Sequence, residues 1–134
     1  MADFAAQVRQ FTDKAQDKLT LAVRKISLEM FSRVILRSPV DTGRFRANWQ
    51  VAIGSVPTGT LESSDKAGTI TVGKAQSAAL GVQVGQTIAL VNNLPYAQRL
   101  ENGSSKQAPG GMVALTVQDF HVIAQKIGIE VRRL

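Results

Sequence analysis

The amino-acid sequence predicts an α+β domain in which a small, mainly antiparallel sheet is flanked by a long N-terminal helix and a C-terminal helix. Apolar residues recur every three or four positions over residues 3–37 and again over 111–127, which is the period of an amphipathic helix. Apolar and polar residues alternate around Trp49, and residues 82–91 are rich in strand-forming types. With 134 residues, the chain is expected to form one domain, residues 1–134.

The composition excludes several kinds of protein. Hydrophobic residues make up 44% of the chain, which suits a globular core, and the absence of cysteine excludes a disulfide framework and thiolate metal sites. No apolar run approaches the ~18 residues of a membrane span, and the N-terminus does not read as a signal peptide, so no membrane partner is expected. The net charge of +6 is scattered, which permits proximity to nucleic acid without requiring it.

The N-terminal helix is predicted to be longer than the domain it belongs to. Neither glycine nor proline interrupts residues 3–37, so at ~1.5 Å per residue the helix is roughly 50 Å long, against a radius of about 14 Å for such a domain. We expect the second half to pack on the sheet. The first half is expected either to lie against a neighbouring subunit or to curve over its own domain. The apolar stripe consists of Phe4, Val8, Phe11, Ala15, Leu19, Ala22, Ile26, Met30 and Val34.

A turn and a strand are expected after this helix. Ser38-Pro39 should end it, because a residue that precedes proline disfavours the helical conformation. Val40–Gly43 then reads as a turn, and Phe45–Ile53 as a half-buried strand, with a helical first turn as an alternative. Arg44 and Arg46 are expected on the polar face of that strand. There they are either solvated or form a charged rim that contacts a partner or the DNA backbone.

The middle of the chain alternates between turn-forming and strand-forming residues. Residues 54–68 are polar and contain several breakers, so we expect an exposed, mobile loop with few anchors. We expect a short strand at Thr69–Val72, a short helix or turn over 73–81, and a strand over 82–91. The last helix should stop or fray at Gly128, after which the tail could be extended.

The apolar residues of these elements are expected to share one core between the sheet and the two helices. Trp49 is the only tryptophan and the expected anchor of that core, and its N–H will need a hydrogen-bond partner. The predicted core residues are Ile26, Val34, Phe45, Trp49, Ile88, Leu90, Phe120 and Ile123.

The stretch between the last strand and the last helix holds an unusual number of special residues. Pro95 suits the first turn of a short helix, Gly103 suits a left-handed stop after it, and Pro109–Gly111 is a second breaker cluster. The stretch is therefore expected to be a shaped loop. Glu101, on the short helix, is expected to pair with Arg44, Arg46 or an arginine of a neighbouring subunit, an exposed contact worth ~0–1 kcal/mol.

The chain offers little for catalysis. His121 is the only histidine, and no nucleophile motif, metal-ligand spacing or phosphate-binding loop accompanies it. We expect no enzyme activity, no cofactor and no metal. Two other classes remain open: a small basic nucleic-acid-binding domain, suggested by the charge alone, and a small hydrolase that uses His121.

Three segments carry a resemblance to a known family. They are a long N-terminal helix that ends in Ser38–Trp49 (SPVDTGRFRANW), a mid-chain strand that ends in Asn92–Ala97 (NNLPYA), and Leu100–Gly103 (LENG) leading to Ala108–Val113 (APGGMV). In this order they resemble the tail-completion, or head–tail joining, proteins of long-tailed bacteriophages and prophages. The likeness covers nearly the whole chain in order. Ser104 stands where related sequences often have an aromatic residue.

The resemblance implies a small α+β subunit without enzyme activity that forms a homo-oligomeric ring in the virion neck. It does not distinguish a tail terminator from a tail-completion or head-side connector protein. We expect a hexamer first and a dodecamer second, because the tail tube of such phages is sixfold. The implied partners are other neck, connector and tail-tube proteins, and packaged DNA would pass through the ring without sequence-specific contact. Such a subunit is made in the cytoplasm of the bacterial host and ends in the virion.

A closed ring needs two different surfaces on each subunit, one meeting the other around the circle. We expect one surface at the Phe4–Phe11 end of the long helix, or at Arg44 and Arg46. The other is expected at Tyr96–Gly103. The residues expected at the subunit interface are Phe4, Phe11, Arg44, Arg46, Tyr96, Arg99 and Glu101.

Overall fold

The computed structural model describes residues 2–134 and confirms the α+β class, with a small antiparallel sheet, a long N-terminal helix and a C-terminal helix. The sheet has two strands, in which Trp49 pairs with Asn92 and Ile53 pairs with Ile88. The elements over the described residues are α1 Ala2–Arg37, α2 Arg44–Ala47, β1 Trp49–Ile53, α3 Thr69–Ala79, β2 Ile88–Asn92, α4 Ala97–Glu101, α5 Val113–Gln118 and α6 Phe120–Arg132.

Helix α1 extends beyond the domain. It has 36 residues, so it is about 54 Å long at 1.5 Å per residue. Every residue from 3 to 17 is exposed, with Phe4 at 70% and Phe11 at 76%. The alternative in which the first half curves over its own domain is therefore wrong. The second half packs mainly on α3, α5 and α6, and near its end Val34 and Ile35 share a core cluster with Trp49 of the sheet. The expectation that the second half packs on the sheet therefore holds for that end alone.

The core consists of two clusters along α1, where the sequence predicted one. The first surrounds Trp49 and includes Val34 and Phe45, with Leu90 packed against it. In the second, three residues of α6 pack against α1, and these are Ile123, Ile127 and Val131 against Leu21, Ala22, Ile26 and Met30. The other two predicted core residues lie outside both clusters: Phe120 is 50% exposed, and Ile88 is half-buried at the end of the sheet.

Trp49 is buried, as predicted, and its polar group is satisfied at the end of α1. The indole Nε1–H donates to the hydroxyl of Ser38 at 2.7 Å, and that hydroxyl donates to the Val34 carbonyl at 2.8 Å. The ring of Phe45 lies edge-on to the indole, with centroids 5.8 Å apart. This packing fixes the place where the chain leaves α1 and enters α2 and β1.

The structure corrects four local predictions about secondary structure, and for the first of them the sequence had left the observed alternative open. Phe45 does not begin a strand, because Arg44–Ala47 forms the helical turn α2, the alternative that the sequence left open. Residues 82–87 lie outside β2, which begins at Ile88. The last helix is divided at Asp119, and α6 continues through Gly128 to Arg132.

The fourth correction is at Thr69–Val72, which is the start of α3 and not a strand. The carboxylate of Asp65 accepts hydrogen bonds from the N–H groups of Gly68, at 3.0 Å, and Thr71, at 2.8 Å. The Thr71 hydroxyl also donates to it at 2.8 Å. Free N–H groups at a helix start favour an acceptor of this kind, and the cap outweighs the weak strand preference of threonine, isoleucine and valine.

The loop over residues 54–68 is largely exposed, but it is anchored more firmly than predicted. The side chain of Asn48, 0% exposed, accepts from the Leu61 N–H at 2.7 Å and donates to the Leu61 carbonyl at 3.0 Å. Gln50 donates to the Gly59 carbonyl at 2.7 Å, and Asn93 to the same carbonyl at 3.0 Å. Three amide side chains on and beside the strands therefore hold the loop, and the prediction of few anchors is wrong.

Replacing Trp49 by alanine should lower the free energy of unfolding by about 3–5 kcal/mol, because it empties the centre of the first cluster. Phe120→Ala is the matched control: it also removes an aromatic ring, but from a half-exposed position. Its cost should be about 1 kcal/mol or less. Denaturant unfolding measures both values. A Trp49→Ala cost no greater than that of the control would contradict this account of the core.

Asn48→Ala should loosen the loop over residues 54–68, since it leaves the half-buried Leu61 backbone groups without their partners at a cost of about 1–3 kcal/mol. Limited proteolysis should then cut the loop several-fold faster than in the parent. Asn102→Ala, an exposed asparagine on the surface, is the control and should leave the cleavage rate unchanged. Equal cleavage rates in Asn48→Ala and the parent would show that the loop is held elsewhere.

Candidate subunit interface

The segments that carry the resemblance meet at the C-terminal end of α1. The side chain of Gln107 accepts from the Val40 N–H at 2.9 Å and donates to the Val40 carbonyl at 3.0 Å. Asn92 donates to the carbonyl of Phe45 at 2.9 Å. We call this assembly, formed by residues 38–49, 92–103 and 107–112, the motif junction.

Glu101 occupies the centre of the motif junction. Its carboxylate accepts hydrogen bonds from three consecutive N–H groups at the start of α5: Met112 at 3.0 Å, Val113 at 2.9 Å and Ala114 at 2.9 Å. Burial opposes ionisation of Glu101, but these three hydrogen bonds outweigh that effect and hold the pKa of the carboxyl below its usual value. The side chain therefore caps a helix of its own chain.

Within the chain, the predicted pairing of Glu101 with Arg44 or Arg46 is wrong. Arg44 lies 3.3 Å from Glu62, a carboxylate that is 87% exposed, so this pair adds little stability. Arg46 donates to the carbonyls of Leu36, at 3.0 Å, and Ser38, at 2.9 Å, because the end of a helix leaves carbonyls without partners.

The position of both arginines on α2 also corrects the expectation that they lie on the polar face of a strand. Arg46 donates a further bond to the Lys66 carbonyl at 2.7 Å, so it ties the loop end to the end of α1. Arg46 is engaged in holding the fold, whereas Arg44 makes only a weak exposed pair. A charged rim of two free arginines is therefore not present in the folded chain.

Two glycines permit the close approach of the segments in the motif junction. Gly103 has φ +93°, as expected of a left-handed stop, and a Cβ there would lie 2.5 Å from the Pro109 carbonyl oxygen. Gly111 has φ +84°, and a Cβ there would lie 2.6 Å from the Glu101 carbonyl oxygen. A side chain at either position would therefore push the loop away from α4. L residues also rarely adopt this φ, so a substitution would strain the backbone as well.

A surface groove runs between the turn after α1 and helix α4. We call it the junction groove, and it has a volume of about 530 Å³. Tyr96 forms one wall, 37% exposed, with its ring centroid 6.0 Å from that of the buried Phe45. Its lining is mixed: apolar and aromatic side chains come from Pro39, Val40, Phe45, Tyr96 and Leu100, and polar or charged ones come from Asp41, Thr42, Arg44, Ser105 and Gln107.

Four of the seven expected interface residues are exposed, and they fall into two groups. Phe4 and Phe11 are exposed at one end of α1, and Tyr96 and Arg99 are exposed at the motif junction near its other end. Glu101 and Arg46 make bonds within the chain, so they position the surface rather than form it. Phe11 and Arg37 are separated by about 39 Å along the helix axis at 1.5 Å per residue.

The sequence did not indicate several residues that hold α1 and the motif junction in place. Asp119 accepts from Arg37 at 2.7 Å and from Arg33 at 3.1 Å, and these two bonds hold the pKa of its carboxyl below the usual value. Arg33 and Arg37 are one helical turn apart on α1, which indicates a shared partner but not its identity. For Asn48 and Gln107, the sequence gives no indication of the distant backbone groups that they bind.

The only histidine of the chain lies outside the motif junction. His121 is exposed on α6. Among residues 2–134, no three histidine, cysteine or carboxylate side chains come together as a metal site would require. Over the same residues, no helix has the length and apolar character that crossing a membrane demands. The junction offers a shaped surface with aromatic and aliphatic walls, which suits contact with another protein.

Glu101→Gln should destabilise the chain by about 1–3 kcal/mol at pH 7, because a neutral amide with one acceptor oxygen replaces a carboxylate that receives three N–H groups. The folded pKa of Glu101 lies below the unfolded value. Its contribution is therefore complete above the unfolded pKa of about 4.3 and is lost as the pH falls through the folded pKa.

The difference in unfolding free energy between the parent and Glu101→Gln should accordingly shrink below about pH 4. Denaturant unfolding at a series of pH values measures it. Glu62→Gln is the control, since that carboxylate is exposed and should matter little at any pH. A Glu101→Gln effect that stays constant down to pH 2 would contradict the capping role.

No family model matches this chain, and neither does any curated protein or any solved structure. The resemblance to phage neck proteins accordingly depends on the three motif segments alone. Its bearing on function depends on where the fold places those segments.

Proposed function

We propose that this chain is a structural subunit of the neck of a long-tailed bacteriophage or prophage, where a ring of copies completes the tail and joins it to the head. The observation that carries the proposal is the motif junction. Segments that are distant in sequence, and that together resemble the neck family, converge on one surface and hold it through Glu101 and Gln107.

The two ends of α1 give further support. A ring subunit must present two different surfaces, and the exposed apolar residues near Phe11 and the junction groove lie at opposite ends of one helix. We place six copies in the ring first and twelve second, since the tail tube of the phages that the sequence resembles is sixfold. Packaged DNA would pass through the channel, and the moderate positive charge would suit its phosphate backbone.

A nucleic-acid-binding domain is less well supported by the structure. Arg33 and Arg37 bind Asp119, Arg44 lies near Glu62, and Arg46 binds backbone carbonyls. These are four of the sixteen Lys and Arg, and their partners within the chain remove them from any free basic stripe. Affinity for DNA should come from the other basic side chains and fall steeply between low and physiological salt.

Removal of the gene for this chain from the phage or prophage that encodes it should yield filled heads and complete-length tails that do not join. Electron microscopy of the lysate measures the ratio of joined to separate particles. Addition of the purified chain to that lysate should restore joining, because neck proteins act after heads and tails are built.

The Trp49→Ala chain, which lacks the anchor of the core, is the control for addition and should restore less joining than the parent. Normal joined particles in the absence of the gene would contradict the proposed function. A gel shift that survives at physiological salt would instead favour the nucleic-acid-binding alternative.

A further inference from the structure

We infer that the exposed first half of α1 of one copy docks in the junction groove of the next copy, with Phe11 against Tyr96. This inference rests on the proposed ring and names the two surfaces that meet in it. We call residues 3–17 the arm. The arm and the junction groove are the partner surfaces, and each copy carries one of each.

The arm continues an apolar stripe that is buried farther along the same helix. Ala22 and Ile26 of the stripe pack against α6 in the second cluster. Helix α6 ends beside Lys18, whose Nζ donates to the Arg132 carbonyl at 3.4 Å. Closer to the N-terminus, Phe4 and Phe11 lie on the same face of α1, and no described residue of the domain covers them. A stripe that is covered for half its length and bare for the rest favours a cover from another molecule.

The arm cannot reach the groove of its own chain. The junction groove begins at Pro39, just beyond the end of α1. Because α1 is one continuous helix, Phe11 is held about 39 Å from Arg37 along its axis. The contact must therefore form between copies. Since an arm meets a groove and not another arm, it is a head-to-tail contact, which closes into a ring when the rotation between copies allows it.

The chemistry of the two surfaces is complementary. The arm presents two phenylalanines, and the groove offers the half-exposed ring of Tyr96 beside Phe45, with Leu100 below. Aromatic rings favour contact with one another at centroid distances of about 4.5–7 Å.

The arm has three acids against two bases, in a chain of net charge +6. One acid and one base line the groove, Asp41 and Arg44. The exposed Arg99 and Lys106 adjoin lining residues in the sequence, so the region around the groove carries a net positive charge.

The area of the contact sets its strength. Two phenylalanines bury about 150–250 Å² each, and a stable interface buries about 800 Å² on each partner. One arm in one groove is therefore a weak contact. In a ring every copy makes the contact twice, once with its arm and once with its groove, and closure adds further stability. Copies should accordingly be mostly monomeric when dilute and should associate when concentrated or offered a tail.

The absence of cysteine allows a direct test. Gln7→Cys and Ser105→Cys chains leave the rings of Phe11 and Tyr96 in place, since Gln7 is exposed one turn before Phe11 and Ser105 lines the groove. One of the two chains carries an affinity tag that changes its mass, and they are mixed at high concentration and oxidised. The same pair is oxidised in lysates in which heads and tails join. The expected result is a disulfide between the two different chains, formed at least tenfold faster than with Gln7→Cys and Val56→Cys. Val56 is an exposed residue of the loop and serves as the control partner.

A second measurement does not require disulfide geometry. Phe11→Asp should leave the melting temperature unchanged, because the side chain is exposed, and should weaken self-association at least tenfold in sedimentation equilibrium. Val122→Asp, at an exposed apolar position of α6, is the control and should associate like the parent. The inference is overturned by Gln7→Cys dimers in place of mixed pairs, or by absence of mixed pairs in both conditions. Equal association of the Phe11→Asp chain and the parent overturns it as well.

The result is separable from that of the joining experiment. If heads and tails need this chain but the arm and groove do not cross-link, the inference fails and the proposed function stands. If particles join without the gene, the proposed function fails, whatever the disulfides show.

Discussion

The hydrogen bond from the indole of Trp49 to the hydroxyl of Ser38 fixes the corner from which the rest of the structure extends. It joins the first residue of β1 to the end of α1 in a site from which water is excluded. An unpaired indole N–H there would cost about 1–3 kcal/mol, so the strand and the helix end are held at one distance. The turn between them, which forms one side of the junction groove, takes its shape from that distance. Arg46 completes the corner through the free carbonyls of the helix end.

Local rules predicted those parts of the fold in which short-range preferences decide the outcome. The spacing of apolar residues gave α1 within a residue of its observed bounds, and the left-handed conformation of Gly103 followed from its place after a short helix. The same rules failed at Thr69–Val72, where the carboxylate of Asp65 stabilises a helix start. The interaction depends on where a loop returns, which strand propensity does not describe.

The candidate interface shows the same division. Phe4 and Phe11 were found from the sequence because a narrow apolar stripe among charged residues is visible without a structure. The role of Glu101 was not, because a carboxylate eleven residues before Met112 reads equally well as an exposed charge. Gln107 and Asn48 bind backbone groups, and the sequence does not indicate which backbone groups will lie near them. Their partners become apparent only when the chain's return path is known.

The unbroken course of α1 limits how the gene can change in length. One residue inserted before Lys18 would turn everything ahead of it by about 100° relative to the half that packs on α6. Phe4 and Phe11 would then no longer lie on the same face of the helix as Ile26. Only changes close to whole turns, such as seven residues, which fall about 20° short of two turns, keep the stripe aligned. A change of seven residues would alter the length of the helix by about 10 Å, so the distance that the helix extends from the domain can vary only in discrete steps.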